Sequence, residues 1–190
     1  MKLKTDKNYI DVTNEWINKS ISFHMVKDAK NYEYNNKKYY VDGKKVVLDY
    51  SHHEKEIAEL LTNTFGGTIY MIPRVNIPEG IKTPDYIWNN EYWDLKSITG
   101  NSNNTVDSIL KNNKTQAKNF ILYFKTQNIQ KFIKQIQNIY NNTHRRWIRY
   151  IIVLNYNKIV LVYKKRDWPP VPYNNGPRPN SLCVYYTHKV

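Results

Sequence analysis

The run "FILYF" (Phe120 to Phe124) constrains this chain most. It has no polar face, so a strand built from it must be covered on both sides. An amphipathic stretch follows, with apolar residues at 129, 132, 133, 136, 139 and 140 at helical spacing. Beyond it, "WIRYIIVLNYNKIVLVYKKR" reads as two strands about a turn at Tyr156-Asn157. Upstream, "SHHEKEIAELLTNTFGG" predicts a helix. Ser51 can cap it, Glu54 stands at capping-box spacing, and Ile57, Leu60, Leu61 and Phe65 form its stripe. Gly66-Gly67 end it. "TIYMIPRV" is β-rich, with Pro73 at an edge or end. "DYIW" and "EYWDLKSI" are short strands joined at Asn89-Asn90, and "TVDSILKNNKTQAKN" is a helix candidate with Thr105 as cap. Helix, three strands, helix, strand, helix and two strands make a mixed α/β (α+β) core: a central mixed sheet flanked by helices.

Around this core, over residues 46–166, lie a polar lead of residues 1–45 and a proline-rich extended tail of residues 167–190. In the lead, "YYVDGKKVVLDY" predicts a β-hairpin turning at Asp42-Gly43. In the tail, Pro169 to Pro179 carry five prolines, and "LCVYY" can return as an edge strand holding the lone Cys183. One cysteine excludes an intrachain disulfide and a cysteine zinc cluster. No run is long and apolar enough to span a membrane, and the opening residues lack the apolar stretch of a secretion signal. The expected place of action is the cytoplasm, which is compatible with delivery by a carrier protein.

Charge is one-sided. Residues 1–100 hold 14 Lys+Arg and 14 Asp+Glu, whereas residues 101–190 hold 15 Lys+Arg and only Asp107 and Asp167 as acids. The entire net charge of +13 is therefore C-terminal. Such a half suits a polyanion, nucleic acid first, or else forms a solvated basic face.

The stretch "TPDYIWNNEYWDLKSI" carries the chemistry. With Asn89-Asn90 as a two-residue turn, Trp88 faces Glu91, Ile87 faces Tyr92, Tyr86 faces Trp93 and Asp85 faces Asp94. Lys96 shares the face of Asp94. Opposed carboxylates repel, and are tolerated by sharing a proton, by pairing with Lys96, or by binding a cation. A hard ion such as Mg²⁺ fits best, with Mn²⁺ or Zn²⁺ as alternatives. Glu54 falls on the inward stripe of its helix, either to meet this cluster or to serve its own capping box. Glu56 and Glu59 face solvent, and Gln116 closes a helix just before the apolar strand. His52 and His53 precede the helix as solvated residues or as neighbours of the site.

Pro84-Asp85 followed by Asp94-Leu95-Lys96, with a Glu-bearing helix before and a strand, helix and strand after, resembles the PD-(D/E)xK nuclease superfamily. The order over roughly residues 51–125 is similar to its restriction-endonuclease-like αβββαβ core. Within it, "HEKEIAELL", "GGTIYMIPRVNIPEGIKTPDYIW", "YWDLKSI" and "QAKNFIL" are most similar to the C-terminal tRNA-nuclease domains of contact-dependent inhibition toxins, with related domains on phage and mobile-element proteins. The resemblance implies a metal-dependent endonuclease with Asp85, Asp94 and the Leu95 carbonyl as ligands and Lys96 as catalytic lysine. Glu54 would be the helix carboxylate and Gln116 would position substrate. The second acid is Asp where Glu is common, which draws the metal closer to the strand. RNA, tRNA in particular, is the implied substrate, with DNA second. A non-catalytic nucleic-acid-binding accessory protein is the alternative. Lys111, Lys114, Lys118, Arg145, Arg146 and Arg149 would contact phosphates, with aromatic neighbours for unpaired bases. An acidic immunity protein would be a further partner.

Overall fold

The computed structural model describes residues 8–19 and 22–166; the proline-rich tail with Cys183 lies outside them. The chain begins with β1 (Tyr9–Asp11), α1 (Thr13–Asn18), β2 (His24–Asp28), β3 (Asn31–Tyr34), β4 (Lys37–Tyr40) and β5 (Val46–Val47). Then come α2 (His52–Phe65), β6 (Gly67–Met71), β7 (Arg74–Val75), β8 (Tyr86–Trp88) and β9 (Glu91–Ile98). After these follow α3 (Thr105–Asn112), β10 (Asn119–Phe124), α4 (Ile129–Asn141), a 3-10 turn (Thr143–Arg145), β11 (Tyr150–Asn155) and β12 (Lys158–Lys165).

Among the described residues, eight strands make one mixed sheet in the order β1-β12-β11-β10-β9-β8-β6-β2. The centre is parallel: β9 pairs with β10 and β10 with β11. The flanks are antiparallel, through β12 and β1 on one side and β8 and β6 on the other, until β2 adds parallel to β6. All of β10 is buried, as its apolar run requires. Alternation along the strands then builds two cores. Trp93, Leu95, Ile121, Tyr123 and Ile152 meet α1 and α2 on one face. Phe120, Leu122, Phe124, Ile151 and Val153 meet α3 and α4 on the other. The mixed α+β architecture with helices on both faces is the one expected from the order of apolar patterns.

The start of α2 forms as its sequence dictates. Ser51 Oγ accepts the Glu54 N–H at 3.1 Å, and the Glu54 carboxylate accepts the Ser51 N–H. This reciprocal cap satisfies two donors that the first turn leaves open. Ile57, Ala58, Leu61, Thr62 and Phe65 are its buried residues. Gly66 and Gly67 have φ of 78° and 85°, and a Cβ at Gly67 would lie 3.3 Å from Trp88 Nε1. Only glycine fits this passage straight from helix to strand.

Three features differ from expectation. Asp42-Gly43 is not the turn of a two-residue hairpin. The Asp42 carboxylate accepts the N–H groups of Lys44, Lys45 and Val46, and β5 pairs with β7 instead. Burial of Val46 against Tyr32, Ile72 and Val75 rewards that pairing. The hairpin of the lead is β3–β4, which turns at Asn35-Asn36 with φ of 50° and 61°. Next, the helix expected to run to residue 119 stops at Asn112, where the Asn113 side chain donates to the Ile109 carbonyl at 2.7 Å. Thr105 opens that helix rather than capping it, and Asn104 sits at the cap without a side-chain hydrogen bond. Finally, packing does not change at residue 45. β1 and β2 belong to the main sheet, and Trp16 of α1 lies among Phe65, Trp88, Trp93 and Tyr150 with ring centroids 5.3–6.0 Å away.

Candidate active site

Asn89 and Asn90 have φ of 51° and 61°, so both occupy the left-handed region that a tight two-residue hairpin needs. The register follows: Trp88 pairs with Glu91, Ile87 with Tyr92 and Tyr86 with Trp93. That alternation buries Trp93 and Leu95 toward α2 and turns Asp94 and Lys96 to the opposite face, where they lie beside Phe120 and Leu122 of β10. Asp85 stands one residue before β8, where the ladder ends. Its N–H donates to the Trp93 carbonyl at 3.1 Å, and its Oδ2 accepts the Leu95 N–H at 2.5 Å. In an extended strand the N–H and C=O of one residue point to the same side, so the Leu95 carbonyl is directed toward the same gap.

Besides burial, the charge of Asp94 makes Asp85 harder to ionise, so the pair favours holding a proton. Lys96 Nζ donates to Asp94 Oδ1 at 3.0 Å and lies 2.9 Å from Oδ2. That second approach lacks hydrogen-bond geometry, so Oδ2 is buried without a donor. Asp94 is wholly buried, while Lys96 keeps 22% of its side chain exposed. Burial first, and then the Asp94 charge, push the Asp85 carboxyl up to about 8. Burial also raises Asp94, against the pull of Lys96 and of the hydrogen bond from Asp85. Two acids that cannot both ionise cheaply, with an ammonium at their mouth, can be relieved by a shared proton, by Lys96 or by a cation.

Glu54 reaches this pair by its field but not by a hydrogen bond. Its negative charge raises both Asp85 and Asp94. Its carboxylate closes the helix cap, and its backbone carbonyl accepts from Tyr86 Oη at 2.8 Å. Burial, then Asp85, Glu54 and Asp94, hold the Tyr86 hydroxyl well above its ordinary range, so it stays a donor. Glu56 is exposed, 3.3 Å from His52 Nε2. His53 lies against the Tyr123 ring on the α2 face, and its Nε2 is buried without a partner. Gln116 sits in the loop after α3, and its Nε2 donates to the Thr83 carbonyl at 3.0 Å. It thus ties that loop to the segment leading into Asp85. Among the described residues, no three His, Cys, Asp or Glu side chains are grouped to hold a metal. A cavity of about 430 Å³ opens at the other end of β9 and takes in none of these carboxylates.

The basic residues divide. Lys111 and Lys114 are exposed along and just after α3, and Lys118 is half-buried where β10 begins. Burial, then Arg149, lower Lys118. Arg146 is exposed. Arg145 and Arg149, expected at phosphates, are engaged by acids. Arg145 is bidentate to Asp107 at 2.7 and 2.8 Å, and Arg149 Nη1 holds both Glu91 oxygens at 3.0 and 2.9 Å. Sequence reasoning missed Asn119, which is fully buried and donates to the Tyr92 carbonyl at 2.9 Å with its Oδ1 left unpartnered. Its place directly before an apolar strand was the one available signal.

Residues 82–159 match the family model of the contact-dependent growth inhibition CdiA C-terminal domain. That span takes in Asp85, Asp94, Lys96 and Gln116, and leaves out Glu54. No curated protein matches the chain. Among solved structures, the chain is similar to a CdiA-CT/CdiI toxin and immunity complex from Burkholderia pseudomallei, at 17% identity and a TM-score of 0.38, with 72% of this chain and 97% of that chain covered.

Proposed function

We propose that this chain is a toxin nuclease: a metal-dependent endonuclease of PD-(D/E)xK type that hydrolyses phosphodiester bonds, with RNA, and tRNA in particular, as substrate. The buried Asp85–Asp94 pair beside Lys96 carries the reading. A buried charged cluster is weak evidence for stability, since apolar side chains of similar size often serve the fold as well, so a chemical role accounts for it better. The partial match to a toxin-domain family model and the C-terminal charge excess support it.

The residues fit a divalent ion. Asp94 Oδ2 is buried without a donor, and a cation beside it would relieve the repulsion that, after burial, raises Asp85. All the oxygens offered are hard, which suits Mg²⁺ or Mn²⁺ above Zn²⁺. Asp85, Asp94 and the Leu95 carbonyl would hold it. The chemistry such an ion supplies is activation of water and neutralisation of phosphate charge. Lys96 holds Asp94 in its rotamer and keeps its ammonium at the surface, where it stabilises charge developing on a phosphate oxygen. Gln116 fixes the loop after α3 against Thr83 and so shapes the entrance. An acidic immunity protein that covers the basic face belongs to the same reading, given a net charge of +13.

The test incubates purified protein with tRNA, single-stranded RNA and duplex DNA across a metal series. Cleavage of tRNA with Mg²⁺ or Mn²⁺, stopped by EDTA and lost in Lys96→Ala, supports the reading. Undiminished cleavage by Lys96→Ala would remove the site assignment, and cleavage of DNA alone would replace the substrate.

A further inference from the structure

On the face that carries Asp94 and Lys96, the sheet is covered in two places with the carboxylates between them. One cover is the α3–α4 core. The other is a small satellite core of Tyr32, Val46, Ile72 and Val75, with Ile87 packed against it. This satellite holds the β3–β4 hairpin beside β9. Tyr92 lies two residues before Asp94 on the same face, and 38% of it is exposed. Its ring meets Tyr32 edge-on at 5.8 Å. Tyr32 is buried and in turn stacks with Tyr34 at 6.5 Å and 27°. Tyr34 is 37% exposed at the hairpin tip and pairs across the strands with Lys37. Lys37 Nζ lies 5.3 Å from the Tyr39 ring on that face. A row of tyrosines with a cation at its outer end therefore runs from the hairpin tip to the carboxylate pair.

We propose that the β3–β4 hairpin and Tyr92 form a stacking wing that takes unpaired nucleotides of the substrate and leads them to Asp85 and Asp94. Tyr32 is the anchor. Its buried ring fixes the hairpin to β9 and cannot itself meet a ligand. Tyr34 and Tyr92 are each more than a third exposed, so part of each ring reaches solvent. Bases stack on such rings whatever their identity, and a lysine beside them meets the backbone phosphate. A base-paired segment keeps its bases stacked on each other and offers no free faces. The wing therefore selects unpaired over paired nucleotides. Charge and place decide for this occupant: Lys37 interleaves with the rings, and the row ends at Asp94, next to where a phosphate would be cut. The inference rests on the nuclease reading for what happens at Asp94, but not for binding along the hairpin.

The test is done in EDTA, with no turnover, on the full chain. Fluorescence anisotropy follows a single-stranded RNA 12-mer, its DNA counterpart and a blunt RNA duplex, and a 2-aminopurine-labelled 12-mer reports stacking. Tyr34→Ala should weaken single-strand binding roughly 5- to 100-fold and abolish part of the 2-aminopurine quench. Tyr34→Phe should keep both, and duplex binding should hold within twofold. Preference for the RNA over the DNA strand would assign a contact to the 2′-hydroxyl, and equal binding would assign recognition to bases alone; both support the wing. Circular dichroism and melting confirm that the exposed substitutions fold. Single-strand affinity within twofold of wild type in both Tyr34→Ala and Tyr92→Ala overturns the wing, as does an equal loss on single strand and duplex. If no metal supports cleavage yet the Tyr34 effect remains, the nuclease reading falls and the wing stands. If cleavage holds without an effect of either tyrosine, the wing alone falls.

Discussion

Replacing Asp85 with asparagine should make the protein more stable, and increasingly so as pH rises. The native carboxyl titrates at about 8, whereas its ordinary value is 3.8. Between those values the unfolded chain has lost the proton that the native state still holds. The stability linked to that proton is complete below the unfolded value and is lost as pH rises toward about 8. The slope is at most about 1.4 kcal/mol per pH unit, and the whole window amounts to on the order of 5 kcal/mol. Asparagine keeps the shape, accepts the Leu95 N–H with its amide oxygen, and needs no proton. Its amide can donate to Asp94, which then faces Lys96 as a simple pair. Urea unfolding in EDTA at constant salt, for both proteins from pH 4.5 to 8.5, isolates the effect as a difference. Other titrating groups cancel between the two. The two stabilities should converge near pH 4.5, and the variant should lead by several kcal/mol at pH 8. A difference that stays constant within about 0.5 kcal/mol across the range would refute the reasoning, because the raised titration would then not reside at Asp85.

Magnesium should act on the same pair. At 100 times its dissociation constant it should stabilise the wild type by about 2.7 kcal/mol, more tightly at pH 8 than at pH 6 because it displaces a proton, and thermal shifts of Asp85→Asn should be far smaller. Trp16→Ala should cost about 3–5 kcal/mol in urea melts without changing nucleic-acid affinity, because that ring fills the core shared by α1, α2 and the sheet; a loss below 1 kcal/mol would show that α1 is not integral to the core.

The hairpin, the capped helix and the all-apolar strand were legible because each is written in neighbouring residues. Asn89-Asn90 has no choice of turn once Trp88 and Glu91 must pair, and Ser51 and Glu54 cap whatever follows them. The β3–β4 turn was missed for a related reason. Asn35-Asn36 has the same chemistry, but Asp42-Gly43 nearby looks stronger locally, and only burial of Val46 against β7 decides between them. The pairing of Arg145 with Asp107 and of Arg149 with Glu91 joins residues 38 and 58 positions apart. Charge counts record such residues as free cations, although the fold has already neutralised them. The basic half therefore carries fewer unneutralised cations than its composition suggests, and under the nuclease reading Lys96, Lys111, Lys114 and Lys37 would matter more.

The same parity that makes the core also displays the site. Trp93 and Leu95 must point toward α2, since Trp93 packs against Trp16, Trp88 and Tyr150 with centroids 5.5–6.0 Å apart. With a period of two, Tyr92, Asp94 and Lys96 are then committed to the opposite face. A slip of one residue would turn Lys96 into the core under α2 and take Trp93 out of it, so the penalty for losing this arrangement is the penalty for losing the core. The strain of placing two carboxyls together is held by the aromatic packing beneath them. Asp85 extends this coupling: its oxygen takes the N–H of Leu95, a core residue, at the point where β8 stops. The position of the acid is thus fixed by the strand it would serve. The hydrophobic core therefore assembles the pair of acids before any ligand is bound.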